Sequence, residues 1–218
     1  MSGFVLYVID TETTGLNAAE HDVIEISASR LGLNESNQYT ELEQKTWLLK
    51  AINPKTISDE ALSKNGHKRE DILGISKYGK ENYLPAQEVV SDIEMWMMDD
   101  NVSAMDRIFV GQNPAFDVGM LQALWKKVGR EKDFPFEIGN GNRILDTKQI
   151  VALFDICTGR RRKAYSLGQL IKACGVKKDK AHRADGDVRM TRDLLLFLVD
   201  IIKQPVVEKF NTCYLEEE

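Results

Sequence analysis

The chain lacks the features that mark secreted and membrane proteins. Its 218 residues include only three cysteines, unevenly spaced, which form neither a disulfide framework nor a metal-ligand pattern. We therefore expect free thiols in a reducing compartment and a cytoplasmic location. The apolar run nearest the start covers only residues 4–9 and follows no basic segment. Such a run is too short for a signal peptide or a transmembrane helix, so we predict no membrane association.

An excess of positive charge is also missing. The formal net charge is −5, from 29 Lys and Arg against 34 Asp and Glu. This balance argues against a protein that holds nucleic acid by overall attraction, and it assigns any such contact to local basic clusters. Repeats and low-complexity segments are absent as well, and 43% hydrophobic residues are typical of a globular protein. The length predicts a single domain over residues 1–218.

What stands out among the residues present is a pair of acids at the end of an apolar run. Asp10 and Glu12 close the run 4–9, which predicts a buried strand bounded by the turn residues 13–15. Side chains two apart in a strand point the same way, about 6.5–7 Å apart along the chain. Two carboxylates that share a buried face repel each other. We expect a cation to neutralise them.

Two further acids lie on the apolar faces of predicted helices. Asn113, followed by proline, predicts a helix start with Asn113 as the N-cap. Asp117 then lies four residues before Leu121, on the apolar stripe of that helix. Asp187 lies seven residues before Leu194, on the apolar side of the last predicted helix. An ionised carboxylate in such a place costs several kcal/mol unless it is paired or bound to a metal.

Each helical acid has an ordinary explanation when it is considered alone. Asp117 suits the first turn of a helix, where the helix dipole favours negative charge. Asp187 suits the edge of the core if it pairs with Arg183 or Arg192. Taken together with the two strand acids, these explanations are weaker than a shared cation site.

The hydrophobic pattern predicts a mixed α/β architecture. Strands are expected at about 3–10, 22–33, 43–50, 107–110 and 143–145, and helices at 58–65, 86–98, 113–128, 147–157, 166–174 and 185–203. Short gaps between the first three strands favour an antiparallel meander, and helical crossovers make the last two strands parallel. The result is a mixed five-stranded sheet, three antiparallel strands then two parallel, flanked by helices. Ser58 is expected to cap the helix at 58–65, which Gly66 ends, and Ser166 with Gln169 predicts a capping box at the start of the helix at 166–174. Pro205 is expected to end the last helix.

Three segments carry these acids in an order that resembles a known family. They are residues 10–16 (DTETTGL), 111–117 (GQNPAFD) and 182–187 (HRADGD). They resemble the three motifs of the DEDDh, or DnaQ-like, 3′–5′ exonucleases, the family of the proofreading epsilon subunit of DNA polymerase III. The similarity spans about residues 3–203. Many members have His where this chain has Gln112, a departure that bears on substrate contacts more than on activity.

The resemblance implies a ribonuclease H-like fold with strand one at the centre. It also implies two Mg²⁺ or Mn²⁺ ions, with Asp10 bridging both and with Glu12 and Asp187 completing the site of the nucleophilic water. Asp117 would support the second ion. His182 would be the general base, because a histidine titrates near neutral pH and can accept the proton of the water.

Substrate contacts are expected in the first two motifs and at the basic residues that flank His182. The expected substrate-binding residues are Thr13, Thr14, Gly15, Leu16, Asn113, Phe116, Lys180 and Arg183. Gly15 lets backbone amides approach a terminal nucleotide closely. By resemblance, Leu16 would wedge against the last base and Phe116 would pack near the sugar; ordinary core packing is the alternative for both. His21 and His67 are expected at the surface.

The predicted function is metal-dependent 3′–5′ exonuclease activity on single-stranded DNA, releasing nucleoside 5′-monophosphates, in proofreading or DNA repair. The partners are nucleic acid with a free 3′ end and, in a proofreading role, a separate polymerase subunit; no small-molecule cofactor is expected. The alternatives are RNA trimming at the same site and a non-catalytic nucleic-acid-binding module. A remote alternative is a haloacid-dehalogenase-like phosphatase, based on residues 10–14 and Asp193, although the spacing differs and His182 has no role in it.

Overall fold

The computed structural model describes residues 3–76, 82–138, 143–176 and 183–214, with backbone alone from residue 204. The strands are β1 (Val5–Thr13), β2 (Val23–Leu33), β3 (Tyr39–Leu48), β4 (Arg107–Gly111) and β5 (Ile144–Asp146). The α-helices are α1 (Asp59–Asn65), α2 (Arg69–Ile72), α3 (Ala86–Met98), α4 (Ala115–Lys127), α5 (Thr147–Thr158), α6 (Leu167–Ala173) and α7 (Ala184–Tyr214). The predicted elements all occur in the predicted order, but the short helix α2 was not predicted, and β3 begins at Tyr39 rather than near residue 43.

The five strands form one mixed sheet in the order β3-β2-β1-β4-β5. β2 is antiparallel to both β1 and β3, whereas β4 is parallel to β1 and to β5. The predicted architecture, with strand one at the centre, is confirmed. Because β1 and β4 are parallel, their carboxyl ends meet at the same edge of the sheet, where the loops of the first two motifs begin.

Alternation along β1 decides which helix each of its side chains meets. Tyr7 packs with the core formed by α3 and α4, whereas Val8 packs with residues of α7 on the other face. Side chains two apart share a face. Asp10 and Glu12 therefore continue the face of Val8 and emerge beneath α7.

The junction between β4 and α4 differs from the sequence prediction. Asn113 is not the N-cap: it has a φ of 62°, Pro114 occupies the cap position without a side-chain hydrogen bond, and the helix begins at Ala115. Asparagine tolerates the left-handed conformation better than most residues. The chain uses that tolerance to turn sharply from the strand into the helix.

Two other predictions about helix ends can be compared with the structure. Ser58 caps α1 by accepting from the N–H of Ala61, and Gly66 ends it in the left-handed conformation, as predicted. The prediction that Pro205 ends the last helix is wrong, because the backbone of α7 stays helical to Tyr214. A proline removes one hydrogen bond of the ladder, and the bonds on either side of it can still form.

Among the described residues, no helix is both long enough and apolar enough to cross a bilayer.

Candidate active site

Three of the four predicted acids converge at the carboxyl end of β1. Asp10, Glu12 and Asp187 each offer a carboxylate oxygen, and these oxygens lie within 4.8 Å of one another. Two of the acids come from the central strand and the third from the first turn of α7. Residues that are more than 170 positions apart in sequence thus form one cluster, as the sequence prediction required.

Asp117 reaches the same edge from the opposite face of the sheet. It is buried on α4, where its Oδ1 accepts hydrogen bonds from the backbone N–H of Thr11 at 3.0 Å and from the Thr11 hydroxyl at 2.8 Å. Thr11 lies between Asp10 and Glu12, so its side chain points to the α4 face while theirs point to α7. Sequence analysis missed this positioning role of Thr11, although the alternation of β1 indicates it.

The acids raise one another's pKa. Burial, followed by the charges of Asp117, Asp187, Glu12 and Glu25, raises the pKa of Asp10 well above its usual value. Burial and then Glu25 raise the pKa of Glu12 to about 8. Burial raises the pKa of Asp117 to about 7, against the lowering effect of the hydrogen bonds from Thr11. The site therefore concentrates negative charge that the protein itself does not neutralise fully.

This donor set fits a hard divalent cation. Carboxylate oxygens are the ligands that Mg²⁺ and Mn²⁺ prefer, and these ions usually bind through a few carboxylates plus water. The three clustered oxygens, with Asp117 nearby, supply such donors at one sheet edge. A bound cation would also offset the repulsion that, after burial, raises the pKa values of Asp10 and Glu12.

Two predicted residues, His182 and Lys180, lie outside the described residues. Arg183, the first residue of the next described segment, is placed beside the acidic cluster. Its Nε lies 3.1 Å from Oε2 of Glu25, and its charge lowers the pKa of Glu12. Arg192, the other arginine considered for Asp187, pairs with Glu41 and Asp193.

Glu25 and His67 form a buried polar pair that sequence analysis missed. Both side chains have 0% exposure, with Nε2 of His67 at 2.8 Å from Oε2 of Glu25 and Nδ1 at 2.6 Å from the Tyr83 hydroxyl. The expectation that His67 lies at the surface is therefore wrong. The sequence does contain a signal: Glu25 interrupts the apolar run of β2, and a charged residue there needs a buried partner.

A cavity of about 440 Å³ adjoins Glu12 and follows the first motif. Leu16 lines it and is 84% exposed, which excludes the core-packing alternative for this residue. Phe116 also lines the cavity while its other side packs against the main core. One wall comes from α1, through residues such as Lys64. The cavity is thus lined by both apolar and acidic side chains.

The loop of the first motif is held by its own hydroxyl groups. The Thr13 hydroxyl donates to the carbonyl of Gly15 at 2.7 Å, and the Thr14 hydroxyl accepts from the N–H of Asp22 at 2.9 Å. A side chain on Gly15 would collide with the imidazole of His21, which is half-buried against it. A larger residue here would require His21 to move, so close packing within the protein favours glycine at this position.

Gln112 and Asn113 tie the second motif to neighbouring elements. The Gln112 amide donates to the carbonyl of Tyr165 at 2.7 Å, and its oxygen accepts from the Thr147 hydroxyl at 2.8 Å. The backbone N–H of Asn113 donates to Asp146 at 3.1 Å. At the position where many DEDDh members have histidine, this chain thus has a residue that links β4 to α5 and to the segment before α6.

The fold and the acidic site define a DEDDh-type nuclease. The chain belongs to the RNase_T exonuclease family, whose model matches residues 7–195. This membership confirms the resemblance to the DnaQ-like 3′–5′ exonucleases and removes the haloacid-dehalogenase alternative.

Curated relatives are much longer than this chain. It is 24% identical over 226 residues to the PolC-type DNA polymerase III of Streptococcus sanguinis, covering 100% of this chain and 13% of that protein. It is 26% identical over 207 residues to the PolC-type DNA polymerase III of Thermotoga maritima, covering 94% of this chain and 12% of that protein.

Solved structures share the fold at low sequence identity. Escherichia coli Exonuclease I, in complex with a dT13 oligonucleotide, superposes with a TM-score of 0.71 at 15% identity, covering 99% of this chain and 44% of that one. Cell-death related nuclease 4 superposes with a TM-score of 0.70 at 14% identity, covering 92% of this chain and 65% of that one.

Proposed function

We propose that this chain is a divalent-metal-dependent 3′–5′ exonuclease that acts on single-stranded DNA and releases nucleoside 5′-monophosphates. The observation that carries the proposal is the convergence of Asp10, Glu12 and Asp187 within 4.8 Å at the end of the central strand. Membership of the exonuclease family supports it. The PolC-type relatives support a role in DNA rather than RNA metabolism.

In the proposed mechanism Asp10, Glu12 and Asp187 would hold Mg²⁺ or Mn²⁺, two ions in all, with Asp117 as a supporting ligand. The bound cations supply positive charge beside a phosphodiester that is already negative. Asp117 is held ready for this role by its two hydrogen bonds from Thr11.

His182 takes the proton of the attacking water. The water oxygen bonds to the phosphorus of the terminal nucleotide, the bond to the 3′ oxygen of the preceding nucleotide breaks, and that oxygen gains a proton from solvent. The products are a nucleoside 5′-monophosphate and a strand that is one nucleotide shorter.

The terminal nucleotide is proposed to enter the cavity beside Glu12, whose volume of about 440 Å³ falls within the usual range for small-ligand sites. The exposed Leu16 would wedge against the last base and Phe116 would lie near the sugar. Thr13, Thr14, Gly15 and Asn113 would contribute the surrounding surface, and Lys180 and Arg183 would attract the phosphates. A base between Leu16 and α1 would be separated from any paired strand, which favours a single-stranded substrate.

The proposal also covers the cellular location of this chain and its protein partner. We propose that residues 1–218 act as a single exonuclease domain in a cytoplasm, in repair or as a proofreading activity beside a separate polymerase subunit. The PolC-type relatives, which are polymerases by name, support the polymerase connection.

End-labelled single-stranded and double-stranded DNA and RNA, incubated side by side with Mg²⁺, Mn²⁺ or chelator, test the proposal. We expect stepwise shortening of single-stranded DNA from the 3′ end, with mononucleotide products and none in chelator. Faster shortening of RNA would favour the RNA-trimming alternative. Retention of DNA without released mononucleotides would identify a binding module.

A further inference from the structure

A fifth carboxylate, Glu25, lies beside the acidic cluster. Glu25 of β2 is the direct cross-strand partner of Glu12, so the two side chains lie on the same face of the sheet. Its Oε2 is close to two donors, Nε2 of His67 at 2.8 Å and Nε of Arg183 at 3.1 Å. A single buried carboxylate thus connects β2 to two segments that are distant in sequence.

One of these connections leads to the cation site. Arg183 immediately precedes α7, and its carbonyl accepts the N–H of Asp187 at 3.1 Å. The ion pair with Glu25 therefore fixes the helix turn that carries Asp187. Gln44 of β3 holds the same turn by donating to the carbonyl of Asp185 at 3.2 Å.

The other connection leads back to β1. The N–H of His67 donates to Oδ1 of Asn65 at 3.2 Å, and Nδ2 of Asn65 donates to the carbonyl of Thr13 at 3.1 Å. Through His67, Glu25 is therefore linked to the residue that follows Glu12. Glu25 and its contacts therefore connect β1, which carries two of the acids, to α7, which carries the third.

Stability alone does not explain a carboxylate in this position. Like charges directly opposite on neighbouring strands are destabilising, and burying an ion pair rarely gains more than apolar packing would. Glu25 Oε1 is also buried without a hydrogen-bond partner in the described part of the chain. The arrangement costs stability and gives a fixed spatial relation between α7 and β1.

We propose that Glu25 is a positioning residue for the cation site. Through Arg183 and His67 it fixes the distance of Asp187 from Asp10 and Glu12. This inference rests on the proposed function, because it requires that Asp10, Glu12 and Asp187 bind a divalent cation. Residues that orient metal ligands typically change metal affinity about 10–100-fold when they are replaced.

The test is Mn²⁺ binding to the DNA-free protein, measured by titration calorimetry, for the wild type and Arg183→Gln. Simple electrostatics predicts that loss of a positive charge beside the site strengthens cation binding. The positioning role predicts the opposite, an affinity about tenfold weaker or more. Absence of DNA separates this effect from any contact of Arg183 with substrate.

Arg192→Gln is the matched control. It also removes one positive charge, and it breaks an ion pair to the sheet, with Glu41 of β3 at 2.6 Å. We expect its Mn²⁺ affinity to stay within about twofold of the wild type, since it lies beyond the turn that carries Asp187. Thermal unfolding of both variants without metal shows whether either effect is a loss of folding.

Glu25→Gln and the double variant Glu25→Gln/Arg183→Gln complete the experiment. We expect Glu25→Gln to weaken Mn²⁺ binding, and the double variant to be no weaker than Glu25→Gln alone, because Glu25→Gln has already broken the ion pair that Arg183→Gln removes. Additive losses, or Arg183→Gln at wild-type affinity or tighter, would overturn this inference. A wild type that binds no Mn²⁺ would instead overturn the proposed metal site.

Discussion

Buried or half-buried carboxylates lie at both ends of β1, but only those at the amino end are neutralised by partners within the protein. At the amino end, Asp100 accepts from the Tyr7 hydroxyl and from the guanidinium of Arg107, each at 2.7 Å. Burial tends to raise the pKa of Asp100, but hydrogen bonds from Arg107, Tyr7 and the backbone of Val102 together lower it. At the carboxyl end, burial and mutual repulsion raise the pKa of Asp10.

The difference separates a structural acid from a functional one. Asp100 has its counter-ion within the protein, so its charge is neutralised in the folded chain. The acids at the carboxyl end retain excess negative charge that a cation from solution can neutralise. A strongly raised pKa in a cluster of acids beside a cavity indicates a functional site, whereas burial alone does not. The following experiments test that contrast.

The largest effect is expected for Asp10→Asn and Asp187→Asn. Each substitution keeps the size of the side chain and removes a proposed cation ligand. We expect exonuclease activity to fall by about a thousandfold or more, since metal ions supply several kcal/mol of transition-state stabilisation. Mononucleotide release from labelled single-stranded DNA measures it, and circular dichroism checks folding. Near-normal turnover in either variant would disprove the metal site.

His182→Ala is expected to lower kcat by about 10²–10⁴-fold, the usual contribution of a general base. Binding of DNA should change little, because the base acts on the water and not on the strand. Single-turnover rates measured across pH provide the check. A wild-type pH profile in the variant would assign the proton transfer to another group.

Asp100→Asn tests the structural end of the strand. Removal of one partner of a buried ion pair costs about 3–5 kcal/mol of unfolding free energy. We expect a clear fall in stability to urea, with the activity per folded molecule unchanged. A loss of activity in protein that is still fully folded would contradict the division between the two ends.

The acids at the two ends of β1 are expected to change the stability of the fold in opposite directions as pH rises. In the folded protein without metal, the pKa is about 8 for Glu12 and about 7 for Asp117. In the unfolded chain both carboxyl groups lose their protons near pH 4. The folded state then binds more protons, so these two groups make stability fall as pH rises from about 5 to 8. Asp100, whose pKa is lowered, contributes in the other direction and only at acidic pH.

Thermal unfolding midpoints at pH 5.5 and 8.5 in chelator measure this effect. We expect a lower midpoint at the higher pH, partial recovery on addition of Mn²⁺, and a smaller pH effect in Asp10→Asn because a repelling charge is gone. A midpoint that rises with pH in chelator would show that the acids are neutralised within the protein.

The smallest effect is expected for Leu16→Ala. Because the side chain is largely exposed, its loss should leave the unfolding midpoint unchanged. We expect a rise in KM for single-stranded DNA of about 5–30-fold, since partial burial of a leucine side chain against one base is worth about 1–2 kcal/mol. Ala61→Ser is the control: it makes a small change to another residue that lines the cavity, and we expect it to leave KM nearly unchanged. An unchanged KM would remove Leu16 from the substrate site.

Local patterns predicted most of the fold. Alternation and apolar runs located the five strands, and the caps of α1 and α6 were correct because capping depends on residues only three or four positions apart. The error at Asn113 arose because the same residue type favours both an N-cap and a left-handed turn. Asn113 adopts the left-handed conformation because the chain must turn sharply from β4 into α4, and the position of α4 is set by tertiary packing.

For the site, the sequence by itself determined the set of acids and the side of each element on which they lie, because periodicity along a strand or helix is a local property. Tertiary structure alone decided what surrounds them. Thr11 holds Asp117 across the sheet, and Glu25 of β2 meets His67 and Arg183. Such contacts join positions more than 40 residues apart, and only the packing of the whole sheet brings them within hydrogen-bond distance.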